Sequence, residues 1–87
     1  MASYELVFKK SVAKDLRAFP KQAVKQIMQR IRSLSEDPRP AGCEKLSGQE
    51  RYRVRQGVYR IIYEIEDARL VVLVVKVGHR SDVYRSS

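Results

Sequence analysis

The sequence predicts an α+β domain: an N-terminal strand, a helical hairpin, then a three-stranded antiparallel meander, forming one small twisted sheet with the helices on one face. Three observations predict it. Apolar residues recur at helical spacing from Val12 to Leu34, broken only around Pro20. From Tyr52 to Val77 the chain alternates or is rich in β-branched residues, with turn residues at Gln56-Gly57 and Asp67-Ala68. The 87 residues, 44% of them hydrophobic, suffice for one core, so residues 1–87 are expected to be a single domain.

Tyr4 to Phe8 predicts the first strand. Ser11 caps a first helix ending near Phe19, in which Val12, Leu16 and Phe19 share a face. Pro20 stops that helix and opens the next at its first turn. The second helix is expected from about Lys21 to Ser35, with Val24, Ile27, Met28, Ile31 and Leu34 as its apolar stripe and Lys25, Gln29 and Arg32 opposite. Prolines and Gly42 make Glu36 to Gly42 a loop, after which Leu46 and Gly48 lead into the strands.

The meander strands are expected at Tyr52 to Arg55, Val58 to Glu66 and Arg69 to Val77. A two-residue turn at Gln56-Gly57 pairs Arg55 with Val58, Val54 with Tyr59, Arg53 with Arg60 and Tyr52 with Ile61. Cross-strand partners share a face. Tyr52, Val54, Tyr59, Ile61, Tyr63 and Ile65 then form the face under the helices, and Arg53, Arg55 and Arg60 the other. A slip of one residue would bury the arginines, so this pairing is strongly favoured. The last strand is apolar on both sides, so the arginine face is expected to be a groove with an apolar floor.

Eighteen Lys and Arg against ten Asp and Glu give a net charge of +8, which predicts attraction to polyanions. Cys43 is the sole cysteine, which excludes an intrachain disulfide and a cysteine-built zinc site. No signal-peptide core opens the sequence, and the apolar run from Leu70 to Val75 is too short to span a bilayer. A cytoplasmic protein without a membrane partner is expected.

The arginines match phosphate chemistry, because guanidinium grips phosphate oxygens bidentately and stays charged. The bland alternative is a solvated basic face. His79 has no second histidine or ligand-spaced partner, so no metal is expected. Its ordinary pKa of ~6.5 suits proton transfer, while a turn residue bonded to backbone is the other reading. Tyr84 either stacks on a base or moves a proton, or else anchors the tail. The carboxylates form no catalytic pair, and no phosphate loop, nucleophile elbow or metal motif is present, so neither a cofactor nor a metal-dependent nuclease is expected.

The element order, with Tyr52-Arg-Val-Arg-Gln-Gly-Val-Tyr-Arg-Ile-Ile-Tyr-Glu64 and Val77-Gly-His-Arg-Ser-Asp-Val-Tyr84, resembles the RelE/ParE superfamily of toxins over nearly the whole chain. The second segment is similar to the RelE branch; the gyrase-poisoning ParE branch usually lacks the terminal tyrosine. The resemblance implies the toxin of a type II toxin–antitoxin system: a metal-independent endoribonuclease that enters the ribosomal A site, cuts messenger RNA by 2′-hydroxyl attack on phosphate, and is neutralised by a cognate antitoxin protein. By the same resemblance Arg53 and Arg55, with Arg51 beside them, position RNA, and Arg60 stabilises the transition state. Arg80 binds phosphate or protonates the leaving group, and Tyr84 is the general base, with His79 sharing acid–base work.

Three departures accompany the resemblance. The basic pair is arginine where relatives usually carry lysine, His79 stands where some have lysine, and the sequence ends three residues after Tyr84, without the extra C-terminal helix of some relatives. A free tyrosine, with pKa ~10, is a poor base at neutral pH, and nearby arginines would favour its phenolate. Two other functions stay open: a ParE-like toxin that inhibits gyrase, and a non-catalytic basic RNA-binding module.

Overall fold

Residues 3–46 and 50–79 are described by the structure, a computed structural model. Strand β1 (Glu5–Phe8) leads into helices α1 (Lys10–Arg17) and α2 (Lys21–Leu34). A two-residue strand β2 (Glu44–Lys45) precedes β3 (Arg51–Gln56), β4 (Tyr59–Glu66) and β5 (Val71–His79). The sheet order is β1-β5-β4-β3-β2, parallel between β1 and β5 and antiparallel elsewhere. The architecture is the predicted α+β one, with β2 added at the far edge. Two residues are too few to show a periodicity, which is why β2 was not foreseen.

The core lies between the helices and one sheet face. Val12 of α1 and Ile27, Ile31 and Leu34 of α2 pack on Tyr52, Val54, Ile61, Tyr63, Val72, Val74 and Val77, all buried. Tyr59 and Ile65 pack against the cluster from its margin. The helix-side set predicted from alternation therefore faces the helices.

Three local expectations are corrected. Ser11 does not cap α1: the helix begins at Lys10, with Lys9 extended at the N-cap and no side-chain cap. The Lys9 amide still bonds the Val74 carbonyl, so the helix starts where pairing with β5 ends. It closes at Ala18 rather than Phe19, and Pro20 takes the N-cap position of α2. Second, the β3–β4 turn is Gly57-Val58, closed by Gln56 opposite Tyr59. Gly57 has φ +61° and Val58 is not in the left-handed region, so glycine takes the first central position, as a type II′ turn requires. The register thus moves by two residues: Arg55 faces Arg60, and Arg53 faces Ile62. A shift of two preserves every side chain's face.

Third, the β4–β5 connection is a 3-10 turn, Asp67–Arg69, followed by Leu70 at φ 54°. Strand β5 therefore runs from Val71 to His79 rather than from Arg69 to Val77. It carries a bulge: Tyr63 faces Val74 while Ile62 faces Lys76, leaving Val75 as the extra residue. The bulge reverses the strand's parity. Val71 and Leu73 face away from the helices, yet Val77 belongs to the core. Beyond the end of β1, α1 covers the open edge of β5. Asp15 accepts the Val77 amide at 3.3 Å and lies 3.8 Å from the Lys76 ammonium.

The loop after α2 is tied to the β4–β5 turn. Arg39 pairs with Asp67 through two hydrogen bonds of 3.1 and 2.9 Å, and its guanidinium lies 5.3 Å from the Tyr52 ring centroid. Tyr4 donates to the same carboxylate at 2.8 Å. Tyr63 donates its buried hydroxyl to the Pro38 carbonyl at 2.6 Å, and burial raises its pKa.

The Arg39 hydrogen bonds, then that of Tyr4, hold the Asp67 carboxyl below its usual pKa. A lowered folded-state value gives stabilisation that is full above the unfolded value of ~3.9 and is lost as pH falls through the folded one. Asp67→Asn is expected to be less stable than wild type at neutral pH, with the gap closing in acid; denaturant midpoints across pH 2–7 check this. Tyr63→Phe, which leaves a buried carbonyl unpaired, is expected to cost about 1–2 kcal/mol in the same unfolding measurement.

Candidate nucleic-acid interface

The sheet face away from the helices is built from alternate residues. Strand β3 contributes Arg51, Arg53 and Arg55, and β4 contributes Arg60, Ile62, Glu64 and Glu66. Opposite them, β5 places Gly78 beside Arg60, Lys76 beside Ile62, Leu73 beside Glu64 and Val71 beside Glu66. On the outer side, Glu44 of β2 faces Arg53.

Burial grades the arginines from floor to rim. Arg60 is only 6% exposed, on β4, the middle strand of the five, where the opposed Gly78 adds no side chain. The Arg53 side chain is 16% exposed and that of Arg55 60%. Half-buried Ile62 lies between Arg53 and Lys76, so at this end the floor is Ile62 and Gly78 set among cations, rather than the apolar floor expected. Like charges on directly opposed residues, here Arg55 and Arg60, oppose folding. Burial around Arg60 strengthens its pull on an anion.

One carboxylate answers this cluster among the described residues. Glu44 accepts from Arg53 Nη2 at 2.9 Å and stands 3.8 Å from Arg55 Nη2. Sequence reasoning missed it, because nothing in Cys43-Glu-Lys-Leu46 signals pairing with β3. Arg51, on the same face, is engaged elsewhere, its Nε bonded to Glu64 at 2.8 Å. Toward that end the face turns apolar and acidic: a concavity of about 250 Å³ is lined by Val7, Val71 and Leu73 and by Glu50, Glu64 and Glu66.

The remaining predicted site residues divide. The structure brings Arg51, Arg53, Arg55 and Arg60 to one face. His79 is not among them. The bulge at Val75 puts it opposite Tyr59 on the helix side, where its ring meets Tyr59 edge-on at 5.9 Å, and Tyr59 in turn packs on Phe19 at 4.7 Å. Arg80 and Tyr84 lie outside the described residues. Among the described residues, no three His, Cys, Asp or Glu side chains are grouped to hold a metal, and no helix is long and apolar enough to cross a membrane.

The face is suited to hold phosphate between paired guanidinium groups on rigid strands. Inorganic phosphate is accordingly expected to raise the melting temperature relative to chloride at equal ionic strength, and Arg53→Gln with Arg55→Gln to remove most of that increment; a thermal-shift series checks it.

The family model for the ParE toxin of type II toxin–antitoxin systems (parDE) matches residues 6–84. Toxin RelG of Mycobacterium tuberculosis is 29% identical over 86 residues, 94% of this chain and 97% of that protein. Among solved structures, the archaeal RelE–RelB complex from Pyrococcus horikoshii gives a TM-score of 0.80 at 28% identity, covering 90% of this chain and 96% of that one. The isolated E. coli RelE toxin gives 0.77 at 29% identity, covering 97% and 94%.

Proposed function

The chain belongs to the ParE toxin family of type II toxin–antitoxin systems, within the RelE/ParE superfamily, and from that premise we propose that it is a ribosome-dependent endoribonuclease that cuts messenger RNA. The observation that carries this reading is the arginine face, with Arg60 buried on its floor and Arg53 and Arg55 above it. A binding toxin without chemistry has no need of a buried cation where a phosphate would lie.

In the proposed reaction the RNA 2′-hydroxyl loses its proton to a base and attacks the adjacent phosphorus. The bond to the 5′-oxygen breaks, that oxygen is protonated, and a 2′,3′-cyclic phosphate and a 5′-hydroxyl result. Arg60 stabilises the extra negative charge of the pentavalent transition state, which a fixed, buried guanidinium does more strongly than one in water. Arg53 and Arg55 hold the flanking phosphates, with Arg51 at the far end of the same row. Arg80 and Tyr84, which follow β5 in the sequence, are assigned the leaving group and the general base. His79 is given no proton-transfer step, because it packs on Tyr59 across the sheet.

The ribosome supplies alignment of the message, so little cleavage of free RNA is expected. The protein then acts in the cytoplasm. Several relatives were solved as toxin–antitoxin complexes, which supports a cognate antitoxin here too. Its toxin-binding segment is expected to be acidic, laying a helix or strand along the groove.

The family model's description names a ParE toxin, which favours a second reading, a ParE-like toxin, for which the resemblance implies gyrase as the target. Translating ribosomes with defined messages separate the two. Wild type is expected to cut, while Arg60→Ala and Tyr84→Phe lose about 100-fold or more in rate, the scale of an oxyanion donor or a general base. Gyrase inhibition without cleavage would replace this reading with the second one.

A further inference from the structure

Glu44 bridges the guanidinium groups of Arg53 and Arg55. Its two carboxylate oxygens reach Nη2 of Arg53 at 2.9 Å and Nη2 of Arg55 at 3.8 Å. Among the described residues these are two of the three arginines on this face toward the β3–β4 turn, with Arg60. An anion spanning two guanidinium groups has the charge and reach of a phosphodiester oxygen pair. Arg53 Nε is buried and makes no hydrogen bond among the described residues, so this guanidinium keeps a donor that the carboxylate does not take.

The setting makes the contact displaceable. Glu44 lies on β2, a two-residue edge strand, and its side chain is about half exposed. The hairpin to β3 is closed by the Leu46 amide on the Arg51 carbonyl at 2.8 Å and by Lys45 to Glu50 at 3.5 Å. A short edge strand opens at low cost compared with the central strands. Arg53 and Arg55 lie on β3, paired along its length with β4.

We propose that Glu44 is a specificity-determining residue: an internal phosphate mimic that neutralises Arg53 and Arg55 until an RNA strand held in register displaces it. This rests on the reading of the arginine face as the phosphate site. It adds a physical reason for discrimination against loose RNA. A freely diffusing strand must compete with a tethered carboxylate, whereas a strand held by a larger assembly arrives at high effective concentration. The repulsion between Glu44 and the incoming phosphate is the element that works against the wrong substrate.

The test compares binding of a short 2′-O-methyl RNA oligonucleotide, which lacks the attacking hydroxyl, by fluorescence anisotropy over a salt series. Glu44→Gln is expected to bind about two- to fivefold tighter, the equivalent of losing one exposed ion pair. Its log–log salt slope is expected to steepen by about 0.7, one further neutralised phosphate on a single strand. In an Arg53→Gln background the gain should shrink. Melting temperatures of all variants without RNA identify any that fail to fold, and Glu44→Asp, which keeps the charge, is expected to bind less tightly than Glu44→Gln. Unchanged or weaker binding by Glu44→Gln, while Arg53→Gln weakens it, overturns the proposal and leaves the phosphate site standing. If Arg53→Gln binds RNA as wild type does, the phosphate site itself falls.

Discussion

The packing of Val54 and Ile61, and of Tyr52 and Tyr63, as cross-strand pairs beneath α2 is the interaction on which the rest depends. Because strand side chains alternate, burying these four sends Arg53, Arg55 and Arg60 to the opposite face together. The magnitudes decide the outcome. Each buried apolar side chain contributes about 1.5–3 kcal/mol, while a like-charged cross-strand pair costs a few tenths to about 1 kcal/mol. The core can therefore hold a cationic cluster that would not assemble by itself. A cluster held in this way favours any anion that enters it.

The same face is charged with opposite sign at its two ends. Arg53, Arg55 and Arg60 lie toward the β3–β4 turn, while Glu64 and Glu66 flank Val71 and Leu73 toward the other. A partner that covers the whole groove must match both ends. A single RNA strand matches only the first. That asymmetry separates the proposed substrate footprint from the larger footprint of a neutralising protein.

Much of this was legible in the residues. Alternation in Tyr52-Arg-Val-Arg55 and Tyr59-Arg-Ile61 assigned the faces without knowledge of the register, because a two-residue shift leaves parity intact. The register itself depended on whether Gly57 is the first or second turn residue, which only turn chemistry decides. The position of His79 depended on the bulge at Val75, hidden in a run of valines with no glycine or proline to mark it. Glu44 was silent because its strand is two residues long. The cap expected at Ser11 yielded to a tertiary constraint, the last backbone bond between Lys9 and Val74.

In the proposed reading the sheet face, rather than the helices, receives phosphate. The helices offer a rival surface, since Lys10, Lys14, Arg17, Lys21, Lys25 and Arg32 are all exposed. Backbone amide chemical shifts followed by NMR during titration with a short 2′-O-methyl RNA test the claim most directly. Saturable shifts are predicted at Arg53, Arg55, Arg60 and Gly78, with the amides of α1 and α2 left nearly unmoved. Shifts concentrated on α1 and α2, with the β3 and β4 amides unmoved, would contradict it.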